Sequence, residues 1–137
     1  MTLSLKLITP TNTLLSEEVD EIIIPTVNGQ ISILPNHVDL LTKIKEGEMI
    51  IKKGNKIHGF AVFGGFLEVS KNHVNILADH AVRADDIEIG KASQAKERAE
   101  KAMKEKASEQ DFKIADAELR KALLELKVAI KHKRTIK

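Results

Sequence analysis

The spacing of apolar residues changes near Ala84-Asp85-Asp86, and no other feature constrains the fold as strongly. Upstream, apolar residues alternate, the period of a pleated strand with one buried face. Leu3, Leu5 and Leu7 fall on one side of LSLKLIT, Ser4 and Lys6 on the other. Ile8 breaks the pattern just before Thr9-Pro10, so that strand should end there. VDEIIIP is a short isoleucine-rich run expected to end at Pro25. Val27-Asn28-Gly29 reads as a turn, because Asn-Gly favours positive φ. GQISIL alternates again and stops at Pro35, which has no N–H to give a ladder. MIIKKGNKIHGFAVFGGFLEVS carries a hairpin signal at Lys53-Gly54-Asn55 and then a long β stretch, and VNILAD closes the set. Short strands joined by turn residues predict an antiparallel β-sandwich over residues 1–84, with helix close to absent.

Downstream the period is helical. Asp85 followed by Glu88 has the form of a capping box, an acceptor at the N-cap and a carboxylate three residues later. KASQAKERAEKAMKEKA is rich in helix formers, with Ala92, Ala95, Ala99 and Ala102 at helical spacing. Gly90 is a weak point near the helix start. Ser108-Glu109-Gln110-Asp111 supplies a second cap signature. Beyond it Phe112, Ala115, Leu119, Ala122, Leu126 and Ala129 form a seam for another helix. Residues 85–137 are thus expected to fold as an antiparallel helical hairpin, giving an α+β chain. A seam so rich in alanine packs closely and buries little area, so such a hairpin is lightly held.

Composition removes several classes of function. With four Phe, no Trp and no Tyr, the chain can hardly supply the stacking platforms of single-strand nucleic-acid readers. No cysteine means no disulfide frame and no thiolate metal site. No apolar run reaches the roughly 18 residues that span a bilayer, and MTLSLKLITP does not have the pattern of a signal peptide. Residues 1–84 carry eight Lys+Arg against nine Asp+Glu, and residues 85–137 carry 14 against 11. The closing KHKRTIK holds most of the basic excess. It reads as a solvated helix end, where cations suit the dipole, or as a docking element for an acidic partner.

No catalytic constellation emerges. His37, His58, His73, His80 and His132 fall in no metal-ligand spacing, and His73 and His80 read as surface residues. Gly64-Gly65 lacks the spacing of a phosphate loop and reads as a strand kink or a close backbone approach. Glu17-Glu18, Asp20 and Glu21 read as a solvated sheet edge. Ser4, Ser16, Ser32 and Ser70 lack a nucleophile-elbow context. A binding or coupling module remains.

Two long stretches then agree with one family. NGQISILPNHVDLLTKIKEGEMII resembles the G-x-L-x-x-L-P-x-H-x-x-L-L-x-x-L-x-x-G-x-x-x-I pattern of F-type ATP synthase epsilon subunits. FAVFGGFLEVSKNHVNILADHAVRADDI resembles that family's second signature, G-G-F-x-E-V followed by V-x-V-L-A-D and an acidic helix start. The likeness continues through A-K-E-R-A-E to Ala117-Glu118-Leu119. Ile31 and Ile44 stand where Leu is usual, and Ile76 where Val is.

The resemblance implies a non-catalytic subunit of the rotary central stalk, peripheral on the cytoplasmic face of a bacterial membrane. It implies a sandwich packed on the gamma subunit and touching the c-ring, with Gly29, Gln30, Pro35 and His37 as contact candidates. A turn-stabilising hydrogen bond is the other use of His37, and the two uses are compatible. It also implies a hairpin that extends toward the alpha/beta catalytic subunits and restrains ATP hydrolysis. Lys96, Arg98, Lys101, Lys104, Arg120 and Lys121 would meet acidic residues there, or else serve as helix-face partners of Glu97, Glu100 and Glu118. Some family members bind ATP through I/L-D-x-x-R-A; here the aligned residues are Glu88 and Lys91, with Arg98 retained. Lysine cannot reproduce the guanidinium fork, and Glu125 on the second helix would repel a phosphate. Neither a metal nor a required cofactor is expected. The other reading is an ATP-sensing module whose hairpin closes on nucleotide.

Overall fold

A computed structural model of the chain describes residues 1–105 and 108–134, with the side chains after His132 outside the description. The KHKRTIK segment is therefore described only in part. Two compact units are present, Met1–Arg83 and Ala84–Lys137.

The first unit is built of strands β1 (Leu3–Ile8), β2 (Thr13–Val19), β3 (Glu21–Thr26), β4 (Gly29–Ile33) and β5 (Leu40–Ile44). They are followed by β6 (Gly47–Lys53), β7 (Lys56–Val62), β8 (Gly65–Ser70), β9 (His73–Ala78) and β10 (Ala81–Arg83). The hydrogen-bonded path runs β10-β7-β6-β3-β5-β8-β9-β1-β2, with β4 on the free side of β3. It folds over into two layers, a β-sandwich. On one side the layers join where β3 passes to β5 through the single pair Thr26–Ile44. On the other, one long bent hairpin carries the chain across: β7 continues into β8 while β9 continues into β10. Its arms stay bonded through the bend, Asp79 N–H to the Gly64 carbonyl at 3.2 Å and Phe63 N–H to the His80 carbonyl at 2.9 Å.

The leucine alternation of β1 points inward as expected, with Leu3, Leu5 and Leu7 all buried. They join Ile22, Ile24, Ile33, Met49, Ile51, Phe60, Leu67 and Ile76 in one core drawn wholly from the first unit. Among the described residues every ladder is antiparallel except β1–β9, which is parallel.

Four details depart from the sequence-based expectations. Strands β2, β5 and β10 lie in stretches without a strand pattern in the sequence. Pro25 does not end β3; it sits inside the strand opposite Gln30. The pairing of β3 with β6 covers only Glu21 to Ile23, so no donor is missed there, and the Pro25 carbonyl still accepts Lys45 N–H at 3.1 Å. In the turn after it, Val27 and Asn28 keep negative φ and Gly29 alone is positive, at 110°. Thr26 still faces Gly29 and Pro25 faces Gln30 with no register shift, so this is a two-residue turn without the paired positive φ of a primed turn. Finally, Asp85 is not the N-cap residue of the helix that follows. Ala84–Asp86 is a 3₁₀ turn, and Glu88 holds the N-cap position, its carbonyl taking Ala92 N–H at 3.0 Å.

The second unit continues with α1 (Ile89–Glu105) and α2 (Glu109–Arg134). Ser108 caps α2: its Oγ accepts Asp111 N–H at 3.0 Å and its carbonyl accepts Phe112 N–H at 3.0 Å. The helices pack through Ala92 and Ala99 of α1 and Ala115, Ala122 and Ala129 of α2, all buried. Ala102 is exposed and Met103 half-buried in its place, because the seam drifts around a straight helix. Phe112 lies at the seam's margin, 36% exposed. His132, expected on a solvated helix end, is buried.

Candidate interaction surface

The layer β5-β8-β9-β1-β2 turns a face away from the core, and strand register decides what stands on it. Lys43 is paired with Phe66, Phe66 with Leu77, and Leu77 with Ile8. Neighbouring strands lie about 4.8 Å apart, so these side chains form one continuous row. Phe66 is 49% and Leu77 51% exposed. The next row reads Leu41, Glu68, Asn75, Lys6, with Leu41 73% exposed. Asn75 Nδ2 donates to Glu68 Oε1 at 3.2 Å. An apolar ridge bordered by charged and amide groups has the make-up of a protein–protein contact, an apolar centre with a polar rim.

Further along this face Glu18 of β2 accepts Ser4 Oγ at 2.7 Å and Thr2 Oγ1 at 2.8 Å. The Ser4 hydroxyl, then that of Thr2, hold its carboxyl below the usual glutamate value; slight desolvation opposes them and His73 assists. The folded value lies below the unfolded one, so the resulting stabilisation is present above the ordinary glutamate range. It fades as pH falls through the folded value. Ser4→Ala is expected to move Glu18 back toward ordinary titration, read from its carboxyl carbon shift by NMR. An unchanged midpoint would assign the shift elsewhere.

The four loop candidates are divided by β4. Gly29 and Gln30 start that strand, exposed beside the Val27-Asn28 turn. Pro35 and His37 follow its far end, with about 13 Å of strand between the two pairs. Beyond β4, Asn36 adopts positive φ (68°) and its N–H reaches Asn72 Oδ1 at 2.6 Å. His37 N–H bonds the Leu34 carbonyl at 3.1 Å. His37 Nδ1 lies 2.7 Å from the Val38 carbonyl. A carbonyl only accepts, so Nδ1 carries the proton, and the ring does have the turn-stabilising use. Leu34 and Val38 beside it are 51% and 75% exposed, apolar groups with no signature in the strand pattern.

On the hairpin, Lys91 Nζ stands 3.3 Å from Glu88 Oε2, both exposed. Arg98 lies two turns on, about 10 Å along the axis. Glu88 and Lys91 are thus paired with each other. Nor do the basic residues share one face: at 3.6 residues per turn Lys96 lies nearly opposite Arg98 on α1, and it is half-buried. Arg98, Lys101 and Lys104 are exposed and wind around the helix, and on α2 Arg120 Nε pairs with Asp116 Oδ2 at 3.3 Å while Lys121 is exposed. Among the described residues no three His, Asp or Glu side chains gather for a metal, and no helix is long and apolar enough to cross a membrane.

Comparison with known proteins agrees with this two-unit layout. Residues 2–84 match the beta-sandwich domain of the ATP synthase delta/epsilon chain, and residues 85–129 its long alpha-helix domain. The ATP synthase epsilon chain of Herpetosiphon aurantiacus is 43% identical over 94% of this chain and 95% of that protein. The chain belongs to the ATP synthase epsilon chain family. The epsilon chain of Desulforamulus reducens is 40% identical over 91% of this chain and 95% of its own length. The fold is similar to that of a chain in the OSCP/F1/c-ring structure of the Euglena gracilis mitochondrial ATP synthase. That likeness has a TM-score of 0.76 and 24% identity, and covers 87% of this chain and 76% of that one. In family terms, Gly64-Gly65 of the second signature forms the bend of the long hairpin, and Pro35 and His37 of the first form the loop after β4.

Proposed function

We propose that the chain is a non-catalytic rotor subunit of an ATP synthase, joining the gamma subunit to the c-ring. The observation that carries this reading is the Phe66–Leu77–Ile8 ridge with Leu41 beside it, an apolar surface on a rigid sheet with a polar border. In this reading the ridge seats gamma. The c-ring runs along β4, which among the described residues pairs only with β3 and so has a free edge. One surface lying along that edge would meet Gly29 and Gln30 at one end and Pro35 and His37 at the other. The complex works peripherally, at the cytoplasmic face of the membrane. The hairpin restrains hydrolysis at the alpha/beta head, with Arg98, Lys101, Lys104 and Lys121 as the exposed cations available to acidic partners.

Two measurements test this. Phe66→Glu with Leu77→Glu is expected to weaken binding to gamma by about 2 kcal/mol or more, the scale of a central contact pair, with an unchanged circular dichroism spectrum. Unaltered binding would move the gamma contact to another face. Hydrolysis by the assembled head is expected to run several-fold faster with a chain truncated after Ala84 than with the full chain. Equal rates would remove the restraining role and leave coupling in place.

A further inference from the structure

We propose that Asn28 is a site of spontaneous self-modification, deamidation to aspartate and isoaspartate, whose rate is held down by the Thr26 hydroxyl. Of the six asparagines in the chain, Asn28 alone is followed by glycine. The others precede Thr13, His37, Lys56, His73 and Ile76, whose side chains hinder attack by the backbone nitrogen that follows. Asn28 and Gly29 are exposed at the tip of the β3–β4 hairpin. Open space surrounds the position where a Gly29 side chain would stand. The Asn28 amide makes no hydrogen bond to another described residue. By contrast, Asn12 Oδ1 accepts Thr9 Oγ1 at 3.1 Å, Asn72 Oδ1 accepts Asn36 N–H at 2.6 Å, and Asn75 Nδ2 donates to Glu68.

In the reaction the Gly29 backbone nitrogen attacks Asn28 Cγ. A C–N bond forms, the Cγ–Nδ2 bond breaks, and ammonia departs with the proton of the Gly29 N–H. The five-membered imide then takes up one water. Opening at Cγ gives aspartate; opening at the main-chain carbonyl gives isoaspartate. The sum is amide plus water to acid plus ammonia, with no change of oxidation state.

The attack requires the Asn28–Gly29 peptide to rotate, and Thr26 opposes that rotation. Its side chain is buried. Its Oγ1 donates to the Gly29 carbonyl at 2.6 Å and accepts Asn28 N–H at 3.2 Å, holding both ends of the reacting dipeptide. Each conversion adds a carboxylate one residue from Gly29-Gln30; its effect on c-ring contact rests on the reading given under Proposed function, whereas the chemistry does not.

The full-length protein, incubated folded at mildly alkaline pH, would be sampled over time by peptide mapping. Enzymatic methylation of isoaspartate serves as the second readout. Asn28 is expected to convert several-fold faster than any other asparagine. Thr26→Val, which keeps the packing shape and loses both bonds, is expected to speed it several-fold further, and Asn28→Gln to abolish the isoaspartate signal from this peptide. Conversion at Asn55 or elsewhere that matches or outpaces Asn28 would overturn the site. An unchanged rate in a Thr26→Val protein of native circular dichroism would overturn the restraint. The six-way comparison within the unmodified chain stands even if that variant misfolds.

Discussion

Gly65→Ala is expected to unfold the sandwich or to cost it more than about 4 kcal/mol, a loss seen only when a named constraint is broken. Two constraints coincide at this residue. Its φ of 123° is one that L side chains rarely adopt. A Cβ there would also stand 2.0 Å from the Leu77 carbonyl oxygen and 2.8 Å from Ala78 Cα. Both obstacles are backbone, so no rotamer change relieves them. Gly65 and Ala78 form the pair that opens the β8–β9 ladder, and moving either strand displaces Leu67 and Ile76 from the core. Gly54→Ala is the control. It too has positive φ, 59°, but open space around the added carbon, so it should lose only about 1–2 kcal/mol of left-handed strain. With no Trp or Tyr in the chain, unfolding is best followed by far-ultraviolet circular dichroism in denaturant. A Gly65→Ala midpoint no lower than that of Gly54→Ala would sink the argument.

Phe60→Ala is expected to cost about 3–5 kcal/mol, the range for deleting a buried aromatic ring. Phe60 is 2% exposed and the largest of the fully buried side chains. It lies on β7 opposite Met49 of β6 on one side and Arg83 of β10 on the other. The chain's other three phenylalanines do not share its setting: Phe66 and Phe112 are partly exposed, and Phe63 lies against His80 with ring centroids 5.3 Å apart. A core otherwise made of aliphatic side chains has no second ring to swing into the vacancy, so the cavity should persist. Phe60→Leu, which keeps most of the volume, should recover more than half the loss. Equal destabilisation by the two variants would mean that ring shape, rather than filled volume, governs the site.

How much of this was legible in advance depended on whether the signal was local. The Leu3, Leu5, Leu7 alternation and the Ser108 cap are written in neighbouring residues, and both are as the pattern indicated. Gly64-Gly65 read as a close backbone approach, and the Leu77 carbonyl is the backbone approached. Strand β2 was obscured because its carboxylates interrupt the apolar run; Glu17 pairs with Lys53 at 3.7 Å across a distant strand, a partner that spacing cannot reveal. Strand β10 has three residues, too few for any period to show. The parallel contact of β1 with β9 joins segments almost a whole domain apart. Pro25 misled because the rule against proline in strands concerns donors, and at that position no neighbour asks for one.

Candidate contact residues were legible only in part. Pro35 and His37 carry a motif, but the exposed ridge depends on register, since Phe66, Leu77 and Ile8 become neighbours only once three strands are aligned. Likewise the basic residues of the hairpin look like one group along the chain, and in space they are spread around α1 and onto α2. The lysine-rich KHKRTIK stretch reads as a solvated helix end or a docking element, yet His132 within it is buried.

The arm-to-arm pairing that persists through the bend at Gly64 has a mechanical consequence. A tangential load on one layer is carried to the other along two adjacent, cross-linked segments of main chain. Bonds spread along those segments share it, so slippage would require many to fail at once instead of peeling singly from an end. In the rotor role proposed above, the stiffness against shear that a collar on a turning axle needs is in this way a property of the strand path itself.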